Sequence, residues 1–335
     1  MCDDGISFDG DSLSGGPLGG AETAFVSLAE ALALRGHEVK IRNNCDAPMN
    51  RNGVDWAPLD GGLPETCDLY IANRGDKLLP LMPGAGRTIF WIHNPASYLL
   101  KWRYLAKLWR LRPAIVFSGK YHADSYPRWA PCGDRKVIPY GIRDSFRTAT
   151  PAKAPPPPRA VFTSNPMRSL DWLLDIWGGR IHPEMGEAQL HLFCGPTVYG
   201  EHGSARSALM APVLDKARSM ADMGVVLRDP IPKDDLITEF ARARVLLYRG
   251  DPGETFCLAV GEAQAAGVPC VVQDIGCVAE RIIDGETGFV ATDDAKFAAM
   301  ALRLLGDDDV WRRQSDAAIV HQRSWGWDDA AAAFE

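Results

Sequence analysis

Apolar positions along this chain fall into short strand-like runs that alternate with stretches of helical period. TAFVSLAEALALRGHEV places Phe25, Leu28, Ala29, Leu32 and Ala33 at helical spacing, Gly36 is a natural stop, and 39–41 then reads as a strand. Further strand-like runs lie at 67–73, 88–93, 114–118 and 136–139. At 149–158, ATPAKAPPPP, the pattern stops. Four consecutive prolines cannot join a helix or a central strand and favour a stiff extended spacer. The alternation then restarts, with strand-like runs at 160–163, 189–194, 224–227, 245–248 and 269–273 and helical runs at 170–177 and 234–243. Such alternation predicts parallel sheets with helices on both faces. The expected organisation is an α/β domain at 1–148, a linker at 149–158, a second α/β domain at 159–320 and a helical ending at 321–335.

Composition narrows the function classes. Hydrophobic content of 46% and charged content of 24% describe an ordinary globular chain, and a net charge of −7 argues against general nucleic-acid binding. No apolar run reaches the roughly 18 residues of a spanning helix. The opening MCDDGISFDGD is acidic and lacks the apolar core of a secretory signal. The eight cysteines, Cys2, Cys45, Cys67, Cys132, Cys194, Cys257, Cys270 and Cys277, form no C-x-x-C pair. They read as reduced small hydrophobes of a cytoplasmic protein, with no zinc site.

The chemistry concentrates at 253–289, GETFCLAVGEAQAAGVPCVVQDIGCVAERIIDGETGF. Glu254 and Glu262 bracket seven residues. On a helix over 256–266 they stand about 12 Å apart along the axis, roughly the span from a sugar ring across a diphosphate to a ribose. Carboxylates accept hydrogen bonds from paired hydroxyls, and free first-turn amides suit an anion between them. The plainer alternative is a solvated helix with two surface glutamates.

This segment resembles the donor-site signature of family 4 glycosyltransferases, the E-x(7)-E motif. The resemblance implies a GT-B fold, two Rossmann-like α/β domains facing across a cleft. It also implies retaining sugar transfer from a nucleotide diphosphate donor, with no metal or other cofactor. By the same resemblance Glu254, Thr255 and the amides of Phe256, Cys257 and Leu258 face the sugar, Ala259 lies near the phosphate, and Glu262 holds the ribose. Cys257 stands where the family usually has glycine, which is tolerable if only backbone contacts the donor.

In the first half, Gly19-Gly20-Ala21-Glu22 resembles the family's GGAE-type loop beside the donor phosphates. A first strand should precede it, and only Ile6-Ser7-Phe8 offers one. Asp9-Gly10-Asp11 spells a metal motif of another glycosyltransferase fold but reads as turn chemistry. His93 ends a strand-like run and resembles a histidine that contacts the transferred sugar; a structural histidine is the alternative, and His122 is a weaker competitor. In 98–112, Arg103, Lys107 and Arg110 make a cationic stripe, with Trp102, Leu105 and Trp109 on another side. Such a helix suits peripheral contact with an anionic membrane at its inner face, but the plainer expectation puts the aromatics in the core.

In the second half, Arg168-Ser169 stands where the family has a lysine-glycine pair facing the diphosphate. An earlier arginine is absent, with Ser164 in that stretch, so one cation remains. VVLRDPIPKDDL resembles the loop that holds the base, with backbone near Ile231 as the contact. The expected role is a hexosyltransferase-like enzyme of glycan or glycolipid biosynthesis acting on an unknown glycan or lipid-linked acceptor. A non-catalytic GT-B-like binding or scaffold protein is the alternative, motivated by the thin first strand and the missing arginine.

Overall fold

A computed structural model describes residues 1–16, 18–195 and 203–335. The chain divides into two compact units. One comprises 1–13, 20–141 and 327–335; the other comprises 14–19 and 142–326.

Among the described residues, the first unit carries strands β1 (Cys2–Asp3), β2 (Val39–Asn43), β3 (Met49–Arg51), β4 (Val54–Pro58), β5 (Cys67–Asn73), β6 (Ala85–Trp91), β7 (Ala114–Phe117) and β8 (Asp134–Val137). They form one sheet in the order β3-β4-β2-β1-β5-β6-β7-β8. All neighbours pair parallel except β3 and β4, a hairpin turned by Asn52 and Gly53. Both turn residues have positive φ, 49° and 77°, as a two-residue hairpin turn requires. The chain runs outward from β1 to β2 and then crosses to β5 on the other side of β1. This leaves a topological switch between the carboxyl ends of β1 and β5.

The first strand is Cys2–Asp3 and not the expected Ile6-Ser7-Phe8. Asp3 ends it because its carboxylate is captured at once. Oδ1 accepts from the Gly5 amide at 2.8 Å, and Oδ2 accepts from Asn73 and Arg74. Phe8 leaves the sheet and packs edge-on against Phe25 and Trp56. The helix Gly20–Leu34 covers the sheet, and Phe25 stacks on Trp91. The helix Trp327–Phe334 belongs to this unit as well, with Phe334 against Trp91 and Trp327 stacked on Tyr140.

The second unit carries β9 (Arg159–Phe162), β10 (Gln189–Phe193), β11 (Val225–Arg228), β12 (Val245–Leu247), β13 (Cys270–Gln273) and β14 (Gly288–Ala291). Their order is β11-β10-β9-β12-β13-β14, all parallel. Strands buried on both faces explain the unbroken apolar runs Ala-Val-Phe, Val-Leu-Leu and Cys-Val-Val. Here the switch lies between β9 and β12.

The chain passes from one unit to the other at Gly141–Ile142, ahead of the expected proline-rich spacer. The proline stretch lies against the second unit. Its carbonyls find buried donors: Arg323 Nη2 donates to Ala149 O at 2.6 Å and Arg244 Nε donates to Pro156 O. Prolines bring no amide hydrogens of their own, so docked guanidinium groups satisfy the stretch from outside.

The helix at 102–111 also departs from its plainer expectation. Trp102 and Trp109 are 80% and 72% exposed, and the core side of the helix is Tyr104 and Leu108. Burial of Tyr104 and Leu108 sets the helix's rotation, and Lys107 and Arg103 pair with Asp76 at 2.7 and 3.5 Å.

Candidate active site

The second unit's switch is built by three segments. Arg168 lies on the loop after β9, Tyr248 and Glu254 lie on the segment after β12, and the helix Leu258–Ala265 carries Glu262. That helix begins at Leu258 and not at the expected Phe256. Cys257 precedes it with φ of +63°, in the left-handed region, which stops the helix from extending backwards. Glu254 therefore sits on the turn leading in. Gly276, with φ of +70°, lets a second turn close over this one, since a Cβ there would stand 2.1 Å from Asp251 O.

Glu254 is buried and doubly held. Arg168 Nη1 donates to Oε1 at 2.6 Å, and the Tyr248 hydroxyl donates to Oε2. Burial raises its pKa, against the opposing pull of Arg168 and Tyr248. Burial and the neighbouring carboxylate raise Tyr248, so its hydroxyl stays a donor. Burial also pushes the Cys257 thiol well above its usual range, so it is no nucleophile. Glu262 is buried, and Lys233 Nζ donates to its Oε2 at 2.6 Å. Both carboxylates of the spaced pair thus face a cation from another segment. This excludes the solvated-helix alternative.

Around them, Thr255 and Phe256 are buried, while Leu258 and Ala259 in the helix's first turn are partly exposed. Ser169 has a positive φ of 62°, and its hydroxyl donates to Gly250 O at 3.1 Å, tying Arg168's loop to the segment after β12. Ser164 and Ile231 are half-buried, Ser164 on the same loop as Arg168 and Ile231 two residues before Lys233.

The first unit's switch holds a different arrangement. Asp3, fully buried, accepts from Asn73 Nδ2 at 2.5 Å and from Arg74 Nε and Nη2 at 3.2 and 3.1 Å. Arg74 Nη2 also reaches Glu22 Oε1 at 2.8 Å, so the glutamate of Gly19-Gly20-Ala21-Glu22 is an internal ion-pair partner. Gly19 is half-buried and Gly20, exposed, starts the helix. Asn73 presents Oδ1 to His93 Nε2 at 2.5 Å, and Tyr140 OH meets His93 Nδ1. The donor logic fixes every proton. Ionised Asp3 only accepts, so Asn73 gives it the amide NH2 and turns its carbonyl oxygen to His93. Nε2 then carries the imidazole hydrogen, and Nδ1 accepts from Tyr140. Burial, then Arg74, holds His93 well below the usual imidazole range, so the ring is neutral. His122 is structural. Ser118 N donates to Nδ1 at 3.1 Å, Nε2 donates to Asn94 O at 2.9 Å, and burial lowers its pKa to about 4.

Asp9 accepts from the Asp11 amide and from Ser12 Oγ, closing a turn, and Asp11 pairs with Arg51 at 3.0 Å. Among the described residues, no cluster of three or more histidine, cysteine or acidic side chains is arranged to hold a metal ion. No described helix is long and apolar enough to cross a membrane.

Sequence reasoning missed Tyr248, Lys233, Asn73, Arg74 and Asp3. Tyr248 and Asn73 had a usable signal: each is a polar or amphipathic residue closing an apolar strand run at the carboxyl edge, where ligands of such sheets bind.

The family model Glycosyl transferases group 1 matches residues 157–307. A D-inositol 3-phosphate glycosyltransferase of Streptomyces scabiei is 31% identical over 185 residues, covering 49% of this chain and 40% of the relative. The chain spans about two fifths of the length of such relatives. Sucrose-phosphate synthase from Thermosynechococcus elongatus superposes with a TM-score of 0.73 at 16% identity, covering 98% of this chain and 96% of its own. Anabaena HepE in complex with UDP-glucose gives 0.71 at 13%, covering 99% and 96%. These likenesses show a fold of two Rossmann-like α/β domains.

Proposed function

We propose that this chain is a glycosyltransferase that moves a sugar from a nucleoside diphosphate to an acceptor hydroxyl with retention at the anomeric carbon. The observation that carries the reading is the buried pair Glu254 and Glu262, each facing a cation at the switch of the second sheet. The matched family and the UDP-glucose-bound neighbour support it.

In this reading Glu254 accepts from sugar hydroxyls, with Thr255 and the backbone of Phe256, Cys257 and Leu258 beside it. Ala259 and the free amides of the helix's first turn take the phosphates, together with Ser164 and the loop at Gly19 and Gly20. Glu262 takes the ribose, and backbone near Ile231 takes the base. The acceptor oxygen bonds to the anomeric carbon on the face the diphosphate leaves. The bond to phosphate oxygen breaks with its electron pair going to the diphosphate, where Arg168 meets the growing charge. The acceptor's proton passes to a diphosphate oxygen, so no protein base or metal is required. His93 enters as a neutral imidazole, with a sugar hydroxyl replacing Tyr140 on Nδ1.

The acceptor is a glycan or a lipid-linked glycan, placing the chain in polysaccharide or glycolipid synthesis at the cytoplasmic face of a membrane. Exposed Trp102 and Trp109, with Trp129 and Arg128 beside Trp109 around a cavity of about 560 Å³, support peripheral contact there.

Thermal unfolding with UDP, GDP, ADP and CMP tests the reading, because a ligand that binds only the folded chain raises the midpoint. One diphosphate should raise it, and Glu262→Ala should abolish the shift. Stabilisation by none of them would leave a binding or scaffold protein.

A further inference from the structure

Lys233 opens the helix Lys233–Phe240 directly after Pro232. Its side chain is 16% exposed, and its one ion pair among the described residues is with Glu262, itself 2% exposed. No role above uses it, yet it occupies the carboxylate assigned to the ribose. Lys233 holds Oε2 of this buried carboxylate, so a ribose diol that donates to both of its oxygens competes with the ammonium for Oε2. An ammonium left buried without a counter-charge is strongly disfavoured, so ribose binding needs a second anion for Lys233. The nucleotide brings one. Its diphosphate is joined to the same ribose, and the flexible four-carbon stem lets the ammonium move between neighbouring anions without refolding.

We propose that Lys233 is a switching cation that neutralises Glu262 in the empty site and passes to the nucleotide's diphosphate when ribose hydroxyls take that carboxylate over. The proposal rests on reading 254–262 as the donor site. It makes Lys233 a specificity-determining residue. A nucleoside alone must displace the ammonium and offers it nothing in return, whereas a nucleoside diphosphate offers both halves of the exchange. Arg168 sits at Glu254, the other end of the segment, so in this reading the two cations approach the diphosphate from its sugar side and its ribose side.

The experiment is titration calorimetry of the full chain with UDP, GDP and ADP and with uridine, guanosine and adenosine. Wild type is compared with Lys233→Met and Lys233→Gln. In wild type the preferred diphosphate should bind about a thousandfold tighter than its nucleoside. Lys233→Met should weaken the diphosphate by about thirtyfold while leaving the nucleoside equal or tighter, because Glu262 is then free. Lys233→Gln keeps a hydrogen bond to Glu262 without the charge, so it should weaken the diphosphate as Met does while leaving the nucleoside unchanged, which guards against a packing defect in either variant. Equal weakening of diphosphate and nucleoside would overturn the switch and leave Lys233 as a prop for Glu262. Unchanged affinities for both would overturn it as well. Absence of any diphosphate binding to wild type would instead remove the donor-site reading and this inference with it.

Discussion

The two units carry charged groups at the same topological place, the switch of a parallel sheet, but organise them in opposite ways. In the first unit one carboxylate, Asp3, anchors a chain of donors and acceptors that runs through Asn73 and His93 to Tyr140, with Arg74 bridging to Glu22. Each proton has one place to go. In the second unit the carboxylates are separate, and each faces one side-chain cation from another segment, with the Tyr248 hydroxyl also on Glu254. Such a chain resists opening because breaking it strands several buried polar groups together. A carboxylate paired with one mobile cation can exchange that cation for a ligand. The first arrangement suits a frame that fixes the tautomer of His93, and the second suits exchange of a cation for a ligand.

Breaking the second switch should give the largest effect on transfer. Glu254→Ala should lower kcat/KM by about a thousandfold or more, as expected when a group aimed at the reacting sugar is removed. Full activity in that variant, measured with the stabilising nucleotide's sugars, would end the assignment.

Breaking the first switch should instead appear in stability. Asp3→Ala strands the buried Asn73 amide, leaves Arg74 with Glu22 alone and should cost about 3 kcal/mol in urea unfolding. Nucleotide affinity should stay within about twofold, since that carboxylate lies in the other network. A large loss of affinity with unchanged stability would reverse the contrast.

Acid separates the two more gently. Glu254 is raised above the ordinary carboxylate range, so a reaction needing its ionised form declines as pH falls through a value higher than about 4.5. His93 is depressed, so below about pH 6.5 the unfolded chain takes a proton that the folded chain refuses. Its contribution to stability is full above that pH and shrinks as pH falls. Activity and urea midpoints across pH 4.5–8 should therefore both fall with acid, the first through Glu254 and the second below about pH 6.5 through His93.

The smallest expected change is a sharpening. Tyr248→Phe removes one of the hydrogen bonds that favour ionised Glu254, so the acid limb should move to higher pH with about a tenfold loss of rate. An acid limb that stays in place would mean that Glu254 does not govern it.

Much of this was legible in the residues. Apolar runs and their spacing placed most strands, because strands buried on both faces need continuous hydrophobic sequence. The strands that were missed, β1, β3, β4 and β14, are short or lie beside turns, where the pattern carries little signal. The spacing of Glu254 and Glu262 marked the candidate site, although the helix between them starts later than periodicity implied, since the left-handed backbone at Cys257 leaves no trace in hydrophobicity.

By itself, then, the sequence determined two alternating α/β units and one carboxylate pair, because periodicity and spacing are local properties of the chain. Only the tertiary structure decided what those carboxylates face. Arg168 is 86 residues from Glu254 and Lys233 is 29 from Glu262, and the Asp3–Asn73 bond spans 70. Such partners meet because parallel strands bring their carboxyl ends to one edge, and strand order, which no local pattern encodes, selects which ends are neighbours. The same holds for Trp102 and Trp109. Their helical spacing was plain, but the packing of Tyr104 and Leu108 into the core left them at the surface.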